Sequence, residues 1–240
     1  MPVYCITGAN RGLGLEFTRQ IAQDASNTII ATIRSSSTDT SDLKSIASKN
    51  THILVCNTGD SSSISTFASD LSKTLPSGQK IDVLINNAGV NSVPQQNSLT
   101  IGEKDLHNEV QINVLGPAHT VAALVDAALI AENARVINMT SGLGSMDKSL
   151  SISPRKCATY SISKAGLNMV TVHQSGDLRE KVRGVVVICM DPGWVKTRMG
   201  GDGAVLEPEE SIGGMLKCIR GLKEGDNGKF FTYDGSVVPW

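Results

Sequence analysis

The sequence has no excess of charge of either sign: 22 lysines and arginines face 23 aspartates and glutamates. Nucleic acids and anionic bilayers are recognised through a cationic surface, so this balance counts against both as partners. No apolar run approaches the roughly 20 residues a membrane-spanning helix needs, and Met1 leads into Val3-Tyr4-Cys5-Ile6 without a basic segment ahead of a long apolar stretch. A soluble, untargeted, cytoplasmic protein is expected. Cysteine is sparse: Cys5, Cys56, Cys157, Cys189 and Cys218 are odd in number and form no CxxC pair, which suits reduced thiols better than a disulfide framework. His52, His107, His119 and His173 lack HxxxH or HxxE spacing, so no metal site is expected. The G-x-S-x-G elbow of serine hydrolases is missing too, since Ser141 lies in Met139-Thr140-Ser141-Gly142-Leu143.

What the sequence does contain is a rhythm. Short apolar runs, rich in β-branched residues, alternate with longer stretches of helical period, the pattern of a mostly parallel sheet covered by helices on both faces. Strands are expected at Val3 to Ile6, Thr28 to Ile33, His52 to Cys56, Ile81 to Ile85, Arg135 to Met139, Gly184 to Met190 and Lys229 to Thr232. Helices are expected near 13–24, 41–48, 61–74, 102–130, 158–180 and 208–221, with loops over 35–42, 90–99 and 142–156. With no repeat, linker or second core, all 240 residues are read as one seven-stranded α/β domain. The unusual clusters (Gly8 to Gly14, Arg34, Asn57, Asn86 to Gly89, Ser141, Pro192-Gly193) each follow an apolar run. That places them at the carboxyl ends of strands, where parallel sheets bind ligands.

Thr7-Gly8-Ala9-Asn10-Arg11-Gly12-Leu13-Gly14 joins the first strand to the first helix with glycines spaced GxxxGxG. Glycine admits tight turns and close backbone approach to a pyrophosphate, and the following helix start offers free N–H groups to the anion. The ordinary reading is a glycine turn between strand and helix; its place at the first strand-helix junction favours a dinucleotide. Sites that select NAD carry an acid at the end of the second strand, whereas here Ile29-Ile30-Ala31-Thr32-Ile33 ends in Arg34. Arg34 and Arg11 suit a 2′-phosphate, with Ser35 and Ser36 as further donors, so NADP(H) is expected.

Tyr160-Ser161-Ile162-Ser163-Lys164 opens the fifth helix and sets a phenol and an ammonium one turn apart on one face. A nearby ammonium favours tyrosinate, by about 4 kcal/mol at ~4 Å and an effective dielectric of ~20 before desolvation. Lys164 is thus expected to lower the Tyr160 pKa toward a range useful for general acid catalysis. Trp194, Leu143, Met146 and Met199 are readable equally as the lining of an apolar pocket or as plugs on the sheet edge.

Together these motifs resemble the short-chain dehydrogenases/reductases in their single-domain form, nearly end to end. The resemblance rests on the Thr7–Gly14 loop, Asn86-Asn87-Ala88-Gly89, Asn113, Ser141, Tyr160 with Lys164, and Pro192-Gly193. It implies a Rossmann fold with strand order 3-2-1-4-5-6-7 and NADPH-dependent reduction of an aldehyde or ketone. Ser141 would polarise the carbonyl, Tyr160 would give the proton, Lys164 would hold the nicotinamide ribose, and Asn113 would keep a relay water. The cofactor would rest on Gly8, Asn10, Arg11, Gly12, Leu13, Gly14, Arg34, Asn57, Asn87, Ala88 and Gly89, with Pro192, Gly193, Val195 and Thr197 at the nicotinamide. Asn57 stands where the family often has an Asp. Pro192 to Thr197 and the ending Tyr233 to Trp240 are similar to the subgroup of sniffer-type carbonyl reductases and C-factor-like proteins, although Arg198 replaces an acid common there. That subgroup suggests a second reading, a non-catalytic NADP(H)-binding signalling or regulatory protein. Retention of Asn113, Ser141, Tyr160 and Lys164 argues against it. An epimerase or dehydratase would need an added substrate domain, for which no room is expected after the seventh strand. The long helices 102–130 and 158–180 imply a homodimer or homotetramer.

Overall fold

The computed structural model describes residues 1–240. Strands β1 (Val3–Ile6), β2 (Thr28–Ile33), β3 (Thr51–Val55), β4 (Ile81–Asn86), β5 (Ile130–Met139), β6 (Val186–Asp191) and β7 (Phe230–Thr232) form one sheet. Its order is β3-β2-β1-β4-β5-β6-β7, and every neighbouring pair is parallel. The connections run through helices α1 (Gly12–Ile21), α2 (Ser41–Ile46), α3 (Ser61–Thr74), α4 (Glu103–Val110), α5 (Gly116–Asp126), α6 (Met146–Leu150), α7 (Ala158–Asp177) and α8 (Pro208–Gly221). None is long and apolar enough to cross a membrane.

Two cores explain why the strands read as unbroken apolar runs. Tyr4 and Ile6 of β1 face Phe17 and Ile21 of α1 and Ile212 and Leu216 of α8, while Val3 and Cys5 face Phe67 and Leu71 of α3 and Leu124 of α5. A strand buried on both faces has no polar side, so alternation disappears and β-branched bulk remains. Helix α3 starts where Asp60 accepts from the N–H groups of Ser62 and Ser63, an ordinary carboxylate cap.

The expected strand order and all seven strands are found, with ends moved by a residue or two except in β5, which starts at Ile130, five residues before the expected Arg135. The clearest departure is the helix expected over 102–130. Its period is broken by a π-helical turn at Gln111–Leu115, where the N–H of Gly116 reaches back to the carbonyl of Gln111. Pro117 has no N–H to give the carbonyl of Asn113, so one α-helical bond is lost at that point and the turn widens. The same stretch ends at Asp126, and Ala128 turns at φ 56°. Ala127-Ala128-Leu129-Ile130-Ala131 is helix-forming by composition, but Leu129 and Ile130 are buried beside Ile81, and Ile130 pairs with Ile81 as the start of β5. The loop 142–156 contains the short α6, and Gly142–Gly144 make a single 3-10 turn.

Leu84, fully buried in the central strand β4, should cost about 2–5 kcal/mol on replacement by Ala, read as a lower urea midpoint with unchanged slope.

Candidate active site

The order in which strands are added reverses between β1 and β4: the crossovers to β2 and β3 leave on one side, those from β4 to β7 on the other. The loops after these two strands therefore part and leave a crevice at the carboxyl edge. In the β1–α1 loop Gly8 has φ 66° and Gly12 φ 54°. Gly14 admits no side chain, because a Cβ would lie 2.3 Å from the Gly8 carbonyl oxygen and 2.7 Å from Asn87 Nδ2. Asn87 donates to the carbonyls of Thr7 (2.8 Å) and Gly8 (3.2 Å), and Ala88 N donates to Thr7 Oγ1 at 2.9 Å. Ala9 N is bonded to the Thr32 carbonyl at 2.8 Å. The loop is thus clamped from β2 and β4. Half-buried Asn10 belongs to the same loop. The N–H groups of Gly12, Leu13 and Gly14 have no acceptor within the protein and form a helix start able to receive an anion.

Arg11 flanks this helix start and Arg34 follows β2; both are exposed and neither has a carboxylate partner. Asn57, after β3, spends its Oδ1 on the N–H of Gly59 (3.2 Å), which leaves its amide protons as the group available to a ligand. On the far side Gly193 turns at φ 78°, Val195 is buried and bridged to Leu206, and the Thr197 methyl lies 3.8 Å from where a Gly12 Cβ would be. The segments after β1 and β6 therefore meet across the crevice.

Ser141, Tyr160 and Lys164 gather beside it. Ser141 Oγ accepts from Leu143 N at 3.2 Å, which leaves its own proton to donate to another acceptor. Lys164, 4 % exposed, donates to the Met139 carbonyl at 2.7 Å and lies 5.5 Å from the centre of the Tyr160 ring. Burial pushes the Lys164 ammonium down to about 8. Asn113 is fully buried in the π turn; its amide donates to the Val90 carbonyl (2.8 Å) and Ser163 Oγ (2.9 Å), and its Oδ1 accepts from Val90 N (2.8 Å). Gly89 fits between Asn113 Oδ1 and Lys164 Nζ, 3.2 and 3.5 Å from a notional Cβ.

One expectation is reversed. In place of the expected fall, the Tyr160 phenol is raised above its ordinary range, first by burial, then by Asp191 and Cys157, with the Ser141 hydroxyl pulling the other way. The ammonium is engaged by the Met139 carbonyl and lies 5.5 Å from the ring centre.

Two acids escaped the sequence reading. Glu109, fully buried in α4, accepts Ser92 N at 2.6 Å through Oε1, while its Oε2 is buried without a partner. It precedes Asn113 by four residues, and together they hold the N–H groups of residues 92 and 90; that same-face spacing was the available signal. Asp191 ends β6, and its signal was an acid closing a strand otherwise buried on both faces. The apolar residues at the rim are not plugs: Met146, Trp194 and Met199 are 73 %, 58 % and 51 % exposed, and Leu143 is half-buried.

A parallel, doubly wound sheet with a Tyr-Ser-Lys cluster at its carboxyl edge defines an oxidoreductase of the Rossmann class. The chain belongs to the short chain dehydrogenase family, whose profile matches residues 2–204. It is similar to the C-signal of Myxococcus xanthus, 37 % identical over 163 residues that cover 67 % of this chain and 93 % of that one. Its fold superposes on a carbonyl reductase from chicken fatty liver crystallised with NADPH, at TM-score 0.90 and 32 % identity with both chains fully covered. The carbonyl reductase Sniffer of D. melanogaster is similar at TM-score 0.88 and 28 % identity, again over the whole of both chains.

Asn87→Ala removes both carbonyl contacts and should cost roughly 1–3 kcal/mol in denaturant unfolding, with hydrogen exchange accelerated over residues 7–14 and unchanged in β5 and β6.

Proposed function

We propose that residues 1–240 form one NADP(H)-binding oxidoreductase domain that reduces an aldehyde or ketone to the alcohol. The observation that carries this reading is the convergence of Ser141, Tyr160 and Lys164 next to a clamped glycine loop whose helix start has free N–H groups. The residues fit the cofactor: the N–H groups of Gly12, Leu13 and Gly14 are free to receive a pyrophosphate, and Arg11 and Arg34 are unpaired cations suited to a 2′-phosphate. Carbonyl reductases that superpose on the chain, one of them holding NADPH, support the same assignment.

The bound dinucleotide supplies the hydride. Ser141, its lone pair engaged by Leu143 N, offers its proton to the carbonyl oxygen and polarises it. Tyr160 stays a phenol until hydride arrival makes that oxygen an alkoxide, a stronger base than even a buried phenolate, and then gives up its proton. Lys164 has protons to spare after bonding Met139, and these hold the ribose hydroxyls. The Asn113 carbonyl, which receives no α-helical bond from Pro117, would hold a relay water. Gly8, Asn10, Gly12, Leu13 and Gly14 take the pyrophosphate, Asn57 and Ala88 to Gly89 the adenosine half, and Pro192, Gly193, Val195 and Thr197 the nicotinamide. Asn87 acts through its grip on the loop.

Ile162, Met169 and Val172 on α7, with Leu115 before α5, expose an apolar stripe that supports pairing of chains as a dimer or tetramer. Five unpaired cysteines support a reducing cytoplasm. The similarity to C-signal favours a second reading, NADP(H) binding for signalling without turnover; an intact proton donor weighs against it.

Tyr160→Phe should lower turnover by more than about a hundredfold while NADPH fluorescence titration stays near wild type; an active Phe variant sinks the mechanism. Arg34→Ala should weaken NADPH by about tenfold or more and leave NADH little changed. NADPH oxidation across aldehydes, α-diketones, ketoesters and quinones tests the reading as a whole, and silence throughout moves it to the signalling alternative.

A further inference from the structure

Ser141 opens Ser141-Gly142-Leu143-Gly144-Ser145, a glycine-rich run with little stiffness of its own. Its internal frame is a single 3-10 turn, in which Gly144 N donates to the Ser141 carbonyl at 2.8 Å and Ser145 N to the Gly142 carbonyl at 3.1 Å. So short a turn holds a hydroxyl in place only if something outside it fixes both ends. Asn168 of α7 does so. It is 4 % exposed, its Oδ1 accepts the Thr140 hydroxyl at 2.6 Å, and its Nδ2 donates to the Gly144 carbonyl at 3.1 Å. One side-chain amide therefore grips the chain just before Ser141 and again three residues after it.

The amide is carried by the helix that also carries Tyr160 and Lys164, and Asn168 follows Lys164 by one turn. Two further bonds join this stretch of α7 to the end of β5: the Thr140 hydroxyl lies 3.4 Å from the Lys164 carbonyl, and Lys164 Nζ donates to the Met139 carbonyl at 2.7 Å. A Cβ on Gly144 would lie 2.9 Å from the Lys164 carbonyl carbon and 3.1 Å from Asn168 Nδ2, so the turn rests directly on the helix. Asparagine is a poor helix former and costly to bury without partners. Its place in the middle of α7 is accounted for by the two bonds it makes. An amide offers Thr140 an acceptor and Gly144 a donor at once, where an aspartate would offer the acceptor alone.

We propose that Asn168 is a positioning residue of this site: its side-chain amide pins both ends of the 140–144 turn to α7 and so holds Ser141 in register with Tyr160 and Lys164. The consequence for turnover rests on the reductase reading above; the pinning of the turn does not. Asn168 acts through Ser141, whose hydroxyl must meet the same carbonyl oxygen that Tyr160 protonates. A reacting group displaced by about 1 Å loses on the order of a hundredfold in rate, so a turn free to shift on the helix is a poor place for that hydroxyl.

The test is amide hydrogen exchange of the cofactor-free protein, read beside NADPH titration and steady-state carbonyl reduction. Asn168→Ala removes both bonds, so exchange at Leu143, Gly144 and Ser145 should quicken by about tenfold or more, well beyond any change in β5, β6 or α7. In the same variant kcat should fall by about tenfold or more while the NADPH dissociation constant stays near wild type. Thr140→Val cuts one of the two bonds with little change of shape and should act in the same direction. Thr140→Ser keeps the hydroxyl and should recover most of what Val loses, and this pair carries the test where the Asn168 variant does not fold. Wild-type exchange at 143–145 in a folded Ala variant overturns the proposal. So does exchange that quickens equally through the sheet and α7, as a merely structural role would give, and so do Val and Ser variants that behave alike. An active enzyme whose turn loosens without loss of kcat overturns it as well. Exchange needs neither cofactor nor substrate. A chain whose turn loosens as expected yet reduces no carbonyl therefore fails only the functional reading, and a working reductase whose turn ignores Asn168 fails only this one.

Discussion

An all-parallel sheet allows no hairpins, so every strand must be followed by a crossover, and every crossover begins at the same edge. All chemistry-bearing turns of this chain share that edge because of this single constraint. The fork between β1 and β4 adds the crevice: chain leaves β1 toward β2 on one side and β4 toward β5 on the other. Backbone hydrogen bonding within the sheet sets the height of each turn, since the registers of β1 with β2 and β4 fix where Thr7, Arg34 and Asn87 emerge.

Polar side chains then convert the edge into a site. Asn87 and Thr7 join the turns after β1 and β4. Asn113 and Glu109 hold the backbone of residues 90–92, and the N–H groups of Cys157 and Ala158 bind the carbonyls of Pro94 and Gln96, so the 90–99 segment is fastened on two sides. Asp191 spans the turns after β5 and β6. Thr7, Asn113, Glu109 and Asp191 are buried, where an unsatisfied amide or carboxylate costs more than the bond contributes, so the arrangement is specific as well as stable. The exceptions are the unpartnered Oδ1 of Asn86 and Asn91, Oε1 of Gln96, Oε2 of Glu109 and Oγ1 of Thr159.

The electrostatics of the pair Tyr160 and Lys164 differ from what their spacing suggests. Four residues on a helix guarantee a shared face, and they do lie together. Spacing does not say whether the ammonium points at the phenol oxygen or at a carbonyl of the neighbouring strand, nor which acids the fold brings in from elsewhere. Met139 comes from β5, Asp191 from β6 and Glu109 from α4, each distant in sequence from residue 160.

By itself the sequence determined the seven strands, their parallel arrangement and the identity of the Gly8–Gly14, Asn87, Ser141, Tyr160, Lys164 and Pro192-Gly193 positions, because burial on both faces, glycine turns and helical spacing are local signals. It did not determine the break at Gln111–Leu115 or the early start of β5 at Ile130, where apolar, helix-forming residues are claimed by the neighbouring strand. Nor did it reveal the direction in which the Tyr160 pKa moves. That depends on the summed fields and desolvation of groups from four elements, a quantity that exists only once the sheet has brought them within a few ångströms of each other.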